Sequence, residues 1–334
     1  MRKKLLSHIT LLSITALLLF SCDKRDQFIA FPPGINENVS EIAAARGLTI
    51  FANAIKIAKM DTAFDYLGQY TIIAPTDAAF TAVGITNANL NTIPEATLRT
   101  VLRNHILPGR TASFSFLPGP NSPLGNINRD FIYTSTYVPT SPAVGSFVGV
   151  YFNGDKVVST DLLANNGIIH TINGVMFPAT GNLTATLALN PNLSYLAAAI
   201  NTAGLTTLNT GTAAITLLAP DNAAFIAAGY PTIASITAAS PTTLSAILRL
   251  HVIPAASVPV AIGNGRLFTP DFRAGTYASL NGPITTTISG TTAAFRGAGN
   301  TADATITTPD LLFRTNISNG ASSVMHVVNR VLLP

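Results

Sequence analysis

The stretch Thr71-Ile72-Ile73-Ala74-Pro75-Thr76-Asp77-Ala78-Ala79-Phe80 returns almost unchanged as Thr216-Leu217-Leu218-Ala219-Pro220-Asp221-Asn222-Ala223-Ala224-Phe225, so whatever this chain folds into must be built twice. In each copy a β-prone apolar run meets Ala-Pro. Proline disfavours helix in the residue before it and presets φ for a helix starting just after. Strand therefore hands over to helix at Pro75 and at Pro220. Thr76 and Asp221 follow with a side-chain oxygen able to accept a free amide at the helix start, and Phe80 and Phe225 lie four residues further on.

The duplication extends in both directions. Leu48, Phe51, Ile55 and Ala58 fall at helical spacing, and Leu193, Leu196, Ile200 and Ala203 restate them. Downstream, Pro94 opens a helix whose stripe is Leu98, Val101, Leu102 and His105, and Ser240-Pro241 opens its counterpart with Leu244, Ile247, Leu248 and His251. A β-rich half follows, with the hairpin turn Asn153-Gly154-Asp155. It closes on a strand in which Ile168, His170 and Ile172 share one face at period two, and His326 holds the equivalent place near the end. The second copy carries about ten more residues in its β half, around Thr285–Thr292, and an insertion belongs in a surface loop. At 334 residues the chain is long enough for two domains, 36–180 and 181–334.

Arg2, Lys3 and Lys4 precede an apolar run from Leu5 to Phe20, interrupted at His8. That order reads as a secretory signal over 1–21. The run is short for a spanning helix, which needs about 20 apolar residues. Leu19-Phe20-Ser21-Cys22 resembles the bacterial lipobox, with Phe20 larger than usual at its place, and implies that Cys22 is acylated and becomes the mature N-terminus. Cys22 is also the one cysteine, so no internal disulfide competes for it. Residues 22–35 form a tether without periodicity. Without the three signal cations, 16 basic residues face 15 acidic ones, which leaves no basic patch for a phosphate backbone and argues against nucleic acid as a partner. The expected setting is a bacterial cell envelope, at the outer membrane or cell surface, with the periplasm as the alternative.

Three motifs recur in order: the Ala-Pro stretch, the central helix ending in histidine, and the close His170-Thr171-Ile172-Asn173-Gly174-Val175-Met176-Phe177-Pro178. With these, nearly everything after residue 36 resembles two fasciclin-like domains in tandem. The resemblance implies an α+β fold, each domain a small β-sandwich or wedge with packed helices, used on cell surfaces for adhesion and matrix contact. In animal relatives a Tyr-His pair at the end of the central helix is tied to integrin contact. Here the pairs are Asn104-His105 and Leu250-His251, so that contact does not carry over.

The candidate chemistry lies with His105, His170, His251 and His326. A pair in each copy could meet to bind metal or act as acid and base. Against this, all four sit on apolar faces and no Asp or Glu lies within four residues of any of them, which favours core histidines satisfied by backbone. Asp77 aligns with Asn222, so no carboxylate is required there by both copies. Asn173 and Asn329 suit a turn through local hydrogen bonds. Gly263-Asn264-Gly265 and Gly297-Ala298-Gly299 lack the third glycine of a dinucleotide fingerprint, and no Gly-x-Ser-x-Gly elbow occurs. Asp61-Thr62-Ala63 resembles a bacterial O-glycosylation acceptor. The expected function is therefore non-enzymatic and cofactor-free: adhesion, or interaction with an extracellular or envelope protein or glycan, with the membrane held through the N-terminal lipid. The alternative is an envelope enzyme or small-ligand binder using a histidine pair or the Pro/Gly loop at 117–126.

Overall fold

The computed structural model describes residues 35–61, 69–138, 148–179, 181–209, 213–260, 265–315 and 322–334. The expected signal, Cys22 and the expected tether up to residue 34 lie outside the described residues, as do Thr62, Ala63, Gly263 and Asn264.

Residues 36–334 form one compact unit of two lobes with the same plan. The first runs α1 (Val39–Ala45), α2 (Thr49–Ile57), β1 (Tyr70–Pro75), α3 (Asp77–Ala82), α4 (Glu95–Asn104), β2 (Ile106–Pro108), β3 (Gly119–Gly125), β4 (Phe131–Tyr137), β5 (Gly149–Phe152), β6 (Asp155–Ala164) and β7 (Gly167–Ile172). The second runs α5 (Leu183–Ala188), α6 (Ser194–Thr202), β8 (Ile215–Pro220), α7 (Asn222–Ala227), α8 (Ile233–Thr237), α9 (Pro241–Leu250), β9 (Val252–Pro254), β10 (Gly275–Ser279), β11 (Gly282–Ser289), β12 (Thr292–Arg296), β13 (Ala304–Arg314) and β14 (Ser322–Val328).

The sheets match strand for strand, β2-β1-β7-β6-β5-β4-β3 and β9-β8-β14-β13-β12-β11-β10. The first and last strands of the shared plan, β1 with β7 and β8 with β14, are the parallel pairs. Period two explains why the repeated strand is apolar on both faces. Ile72 and Ala74 enter the core under the helices, whereas Ile73 between them joins Leu107, Ile132, Phe152 and Ile172 in a second core between the two leaves of the folded sheet. Leu217, Ala219 and Leu218 divide in the same way in the second lobe. Each lobe is thus a β-wedge with helices on one side.

The strand-to-helix handover follows from its residues. Pro75 pairs with Ile172 and Pro220 with Val328 as the last residues of their strands. Thr76 then accepts the Ala79 amide at 3.1 Å, and Asp221 accepts that of Ala224 at 2.7 Å. Phe80 and Phe225 are buried one turn later. The next residue acts on the preceding helix: α2 and α6 have no side-chain cap of their own. Asp77 accepts the Ile50 amide at 2.9 Å, and Asn222 accepts that of Tyr195 at 3.0 Å. An acceptor oxygen is all the position needs, which is why Asp and Asn interchange.

Three expectations are corrected. The stretch 117–126 is not a loop, because Gly119–Gly125 is the edge strand β3, where prolines cost no ladder bond on the open side. The extra residues around Thr285–Thr292 are not a surface loop either. They lie in the β11–β12 hairpin, closed by Ser289 opposite Thr292, and Ile284 and Thr286 alternate inward. Asn173 and Asn329 bond across the sheet rather than locally, accepting the amides of Lys156 at 2.7 Å and Thr305 at 2.9 Å.

Candidate functional site

His105 follows α4 directly, fully buried, and its imidazole is occupied on both sides. Nδ1–H donates to Val101 O at 2.8 Å, and Nε2 accepts the Met176 amide at 3.0 Å. His251 repeats this, donating to Ile247 O at 2.9 Å and accepting the Leu332 amide at 2.8 Å. The backbone adds a third tie, since Ile73 and Leu218 donate to the histidine carbonyls at 2.8 and 2.9 Å. One residue therefore fastens the helix end, the strand β1 or β8 and the closing segment. Burial pushes both rings down to about 4, so they are neutral at physiological pH.

His170 and His326 use the opposite tautomer. Nε2–H donates to Thr111 O and Leu267 O, both at 2.8 Å, and Nδ1 accepts the amides of Asp161 and Asp310, both at 3.3 Å. Burial pushes His326 down to about 4 and lowers His170. The two histidines of a lobe share no partner, each ring nitrogen ending on a different backbone group. Among the described residues, no group of three or more His, Cys, Asp or Glu side chains stands close enough to hold a metal ion.

Space supplies the carboxylates that sequence distance concealed. Asp161 and Asp310 sit at bulges in β6 and β13 with φ of 60° and 58°. Asp161 accepts the Ser113 amide at 2.9 Å and Asp310 that of Thr269 at 2.7 Å, and Asp310 Oδ1 lies 3.7 Å from His326 Nδ1. The repeated triplet Asp161-Leu162-Leu163 and Asp310-Leu311-Leu312 is the signal that could have found them. Replacing His105 or His251 with Gln is expected to cost about 1–3 kcal/mol in a denaturant melt, because one of two buried backbone partners is left open.

A polar seam joins the lobes. Alternate residues of β4, Tyr133, Ser135 and Tyr137, face the second lobe while Ile132 fills the first lobe's own core. Asp271, with no exposed surface, accepts from Ser135 Oγ at 3.0 Å, Tyr137 Oη at 2.5 Å and the Phe268 amide at 2.8 Å. Burial pushes its carboxyl up to about 6 against those bonds, which pull it down. The Arg266 and Arg273 guanidinium groups lie 4.1 and 4.7 Å from the ring centres of Tyr133 and Tyr137, and Arg314 pairs with Asp130 at 2.6 Å.

Beside this seam a cleft of about 570 Å³ opens between the lobes. Asn153, Asp155 and the segment Gly174–Pro178 line it from the first lobe, and Leu189 and Thr308–Leu312 from the second half. Leu189 is 72 % exposed and Phe177 44 % exposed, whereas Asn153 is buried and its side-chain nitrogen has no partner.

The Fasciclin domain family model matches residues 46–178 and 191–334. This chain belongs to the Fasciclin family. Its two fasciclin domains correspond to the two lobes. Among curated relatives, the transforming growth factor-beta-induced protein ig-h3 of Oryctolagus cuniculus is 32 % identical over 177 residues, covering 52 % of this chain and 24 % of that protein. The chain thus spans about a quarter of that relative's length. The fasciclin-like arabinogalactan protein elcF of Phaeosphaeria nodorum is 24 % identical over 277 residues, covering 81 % and 80 %. A solved FAS1 domain pair from the insect cell adhesion molecule Fasciclin I is 16 % identical, covering 88 % of this chain and 95 % of its own, with a TM-score of 0.37.

Proposed function

We propose that this chain is a bacterial envelope protein, moored by acyl chains on Cys22, that mediates adhesion or contact with an extracellular or envelope protein or glycan through its paired fasciclin domains. The observation that carries this reading is that both halves belong to the Fasciclin family. The non-enzymatic side is supported by the four imidazoles, each bonded at both nitrogens to backbone and so not available as base or ligand. Several acyl chains on one N-terminus give stable anchoring where a single chain is marginal.

Protease shaving of intact cells tests the location. Native protein is expected to be cleaved from the surface, and Cys22→Ala is expected to release it from the membrane fraction and abolish that exposure. Native protein protected until the outer membrane is opened would instead place it in the periplasm. Loss of cell attachment on deleting the gene, restored by the native chain but not by Cys22→Ala, is the matching functional result.

A further inference from the structure

The geometry points to the cleft between the lobes as a binding site for a small amphiphilic cation, with an ammonium group at Asp155 and Asp310, an acceptor oxygen at Asn153 Nδ2, and an apolar body against Met176, Phe177 and Leu189. The volume of about 570 Å³ falls inside the rough range of 300–1,000 Å³ usual for small-molecule sites. Its walls are mostly apolar side chains, and its polar groups are few and convergent.

The two carboxylates come from different lobes. Asp155 follows the β5–β6 turn, and Asp310 sits at the β13 bulge. A Cβ on Gly174 would fall 1.8 Å from Asp155 Oδ1, and one on Gly154 would fall 2.3 Å from Asp310 Oδ2. Glycine therefore lets backbone lie directly against both groups, as the fold's approach to each requires. Asp310 Oδ1 is held by the Thr269 amide, and among the described residues no Lys or Arg forms an ion pair with either carboxylate. Burial opposes ionisation of both, and at Asp310 the charge of Asp155 adds to that effect. Two carboxylates facing a cleft without a counter-charge are suited to a cation brought from outside.

Asn153 supplies the independent sign of a ligand. Its Oδ1 accepts the Tyr133 amide at 2.8 Å, which fixes the side chain and leaves Nδ2 buried and unpartnered at the cleft wall. A buried donor left open is costly, and an oxygen next to the ammonium would satisfy it. An apolar amino alcohol carries all three features, as does a peptide beginning with a free-amine leucine. A metal ion would offer no acceptor for Nδ2.

The test is calorimetric titration of the full chain with leucinol. Saturable one-to-one binding is expected, with leucine weaker because its carboxylate meets Asp155 and Asp310, and 4-methylpentan-1-ol weaker because it lacks the ammonium. Asp155→Asn is expected to weaken leucinol at least tenfold. Leu189→Ser, at an exposed position where folding is not at stake, is expected to weaken it severalfold with an unchanged melting curve. Tighter binding of Leu-Gly-Gly-amide than of leucinol would assign the natural ligand to a peptide terminus, and the reverse to a free amino alcohol; either supports the site. Absence of saturable leucinol binding, equal binding of the neutral alcohol, or calcium binding alone that leucinol does not displace would overturn it. None of these readouts depends on surface exposure or adhesion, so this inference and the proposed function fail separately.

Discussion

Replacing Asp155 and Asp271 together with asparagine is expected to make stability fall more steeply on acidification between pH 4 and 6 than it does in the native chain, by about 3 kcal/mol per pH unit. His105, His251 and His326 are held down to about 4 by burial, and His170 is lowered as well. Unfolded chains take up those protons first. The histidine contribution is therefore lost as pH falls from 6.5 towards 4, at about 1.4 kcal/mol per pH unit for each of the three rings held at about 4.

The buried carboxyls act in the opposite sense. Burial pushes Asp271 up to about 6, Asp155 up to about 7 and Asp310 well above 3.8. Here the folded state takes the proton first, so the contribution is fully present below the unfolded value of 3.8 and is lost as pH rises through the folded ones. Between pH 4 and 6 the two sets oppose one another. The double variant removes two of the opposing slopes, at about 1.4 kcal/mol per pH unit each, so its profile is expected to fall more steeply than the native one by about 3 kcal/mol per pH unit. Denaturant melts across that window read both profiles. Parallel profiles for the native chain and the variant would refute this.

The second large effect is expected from Phe225→Ala, at about 3–5 kcal/mol. Phe225 is fully buried, with Tyr195 and Tyr230 rings centred 6.4 and 6.2 Å from its own. Truncation leaves a cavity that neither tyrosine fills without leaving its place. Because the seam around Asp271 is buried between the lobes, the loss is expected to lower one shared unfolding transition. Phe80→Ala should do the same from the other side. Two separated transitions in differential scanning calorimetry of the native chain would show that the lobes unfold independently.

Much of the fold was legible because it was written twice. The Ala-Pro handover, the histidine stripes and the closing strands rest on local spacing, and local spacing is what sequence displays. What remained hidden was what lies far apart along the chain. Asp161 is nine residues before His170, and Asp310 is sixteen before His326, so neither lies among the four nearest neighbours of its histidine along the chain. Asp271 looks like an ordinary surface residue until Ser135 and Tyr137 arrive from the other lobe. The cleft has the same origin, since Asp155 and Asp310 meet only once the lobes are joined. Thr285–Thr292 departs from expectation for a different reason: an insertion belongs in a loop by default, whereas β-branched residues on both sides of Ser289-Gly290 suit a hairpin.

The parallel pairing of β1 with β7 has a mechanical consequence. Tyr70 to Pro75 lie beside Gly167 to Ile172 in unbroken register, and β8 with β14 repeats the arrangement. Tension applied between the start of the first strand and the end of the last strand of a lobe pulls these partners lengthwise past one another. The rungs then bear load together instead of parting singly, which equips each lobe to hold under drag.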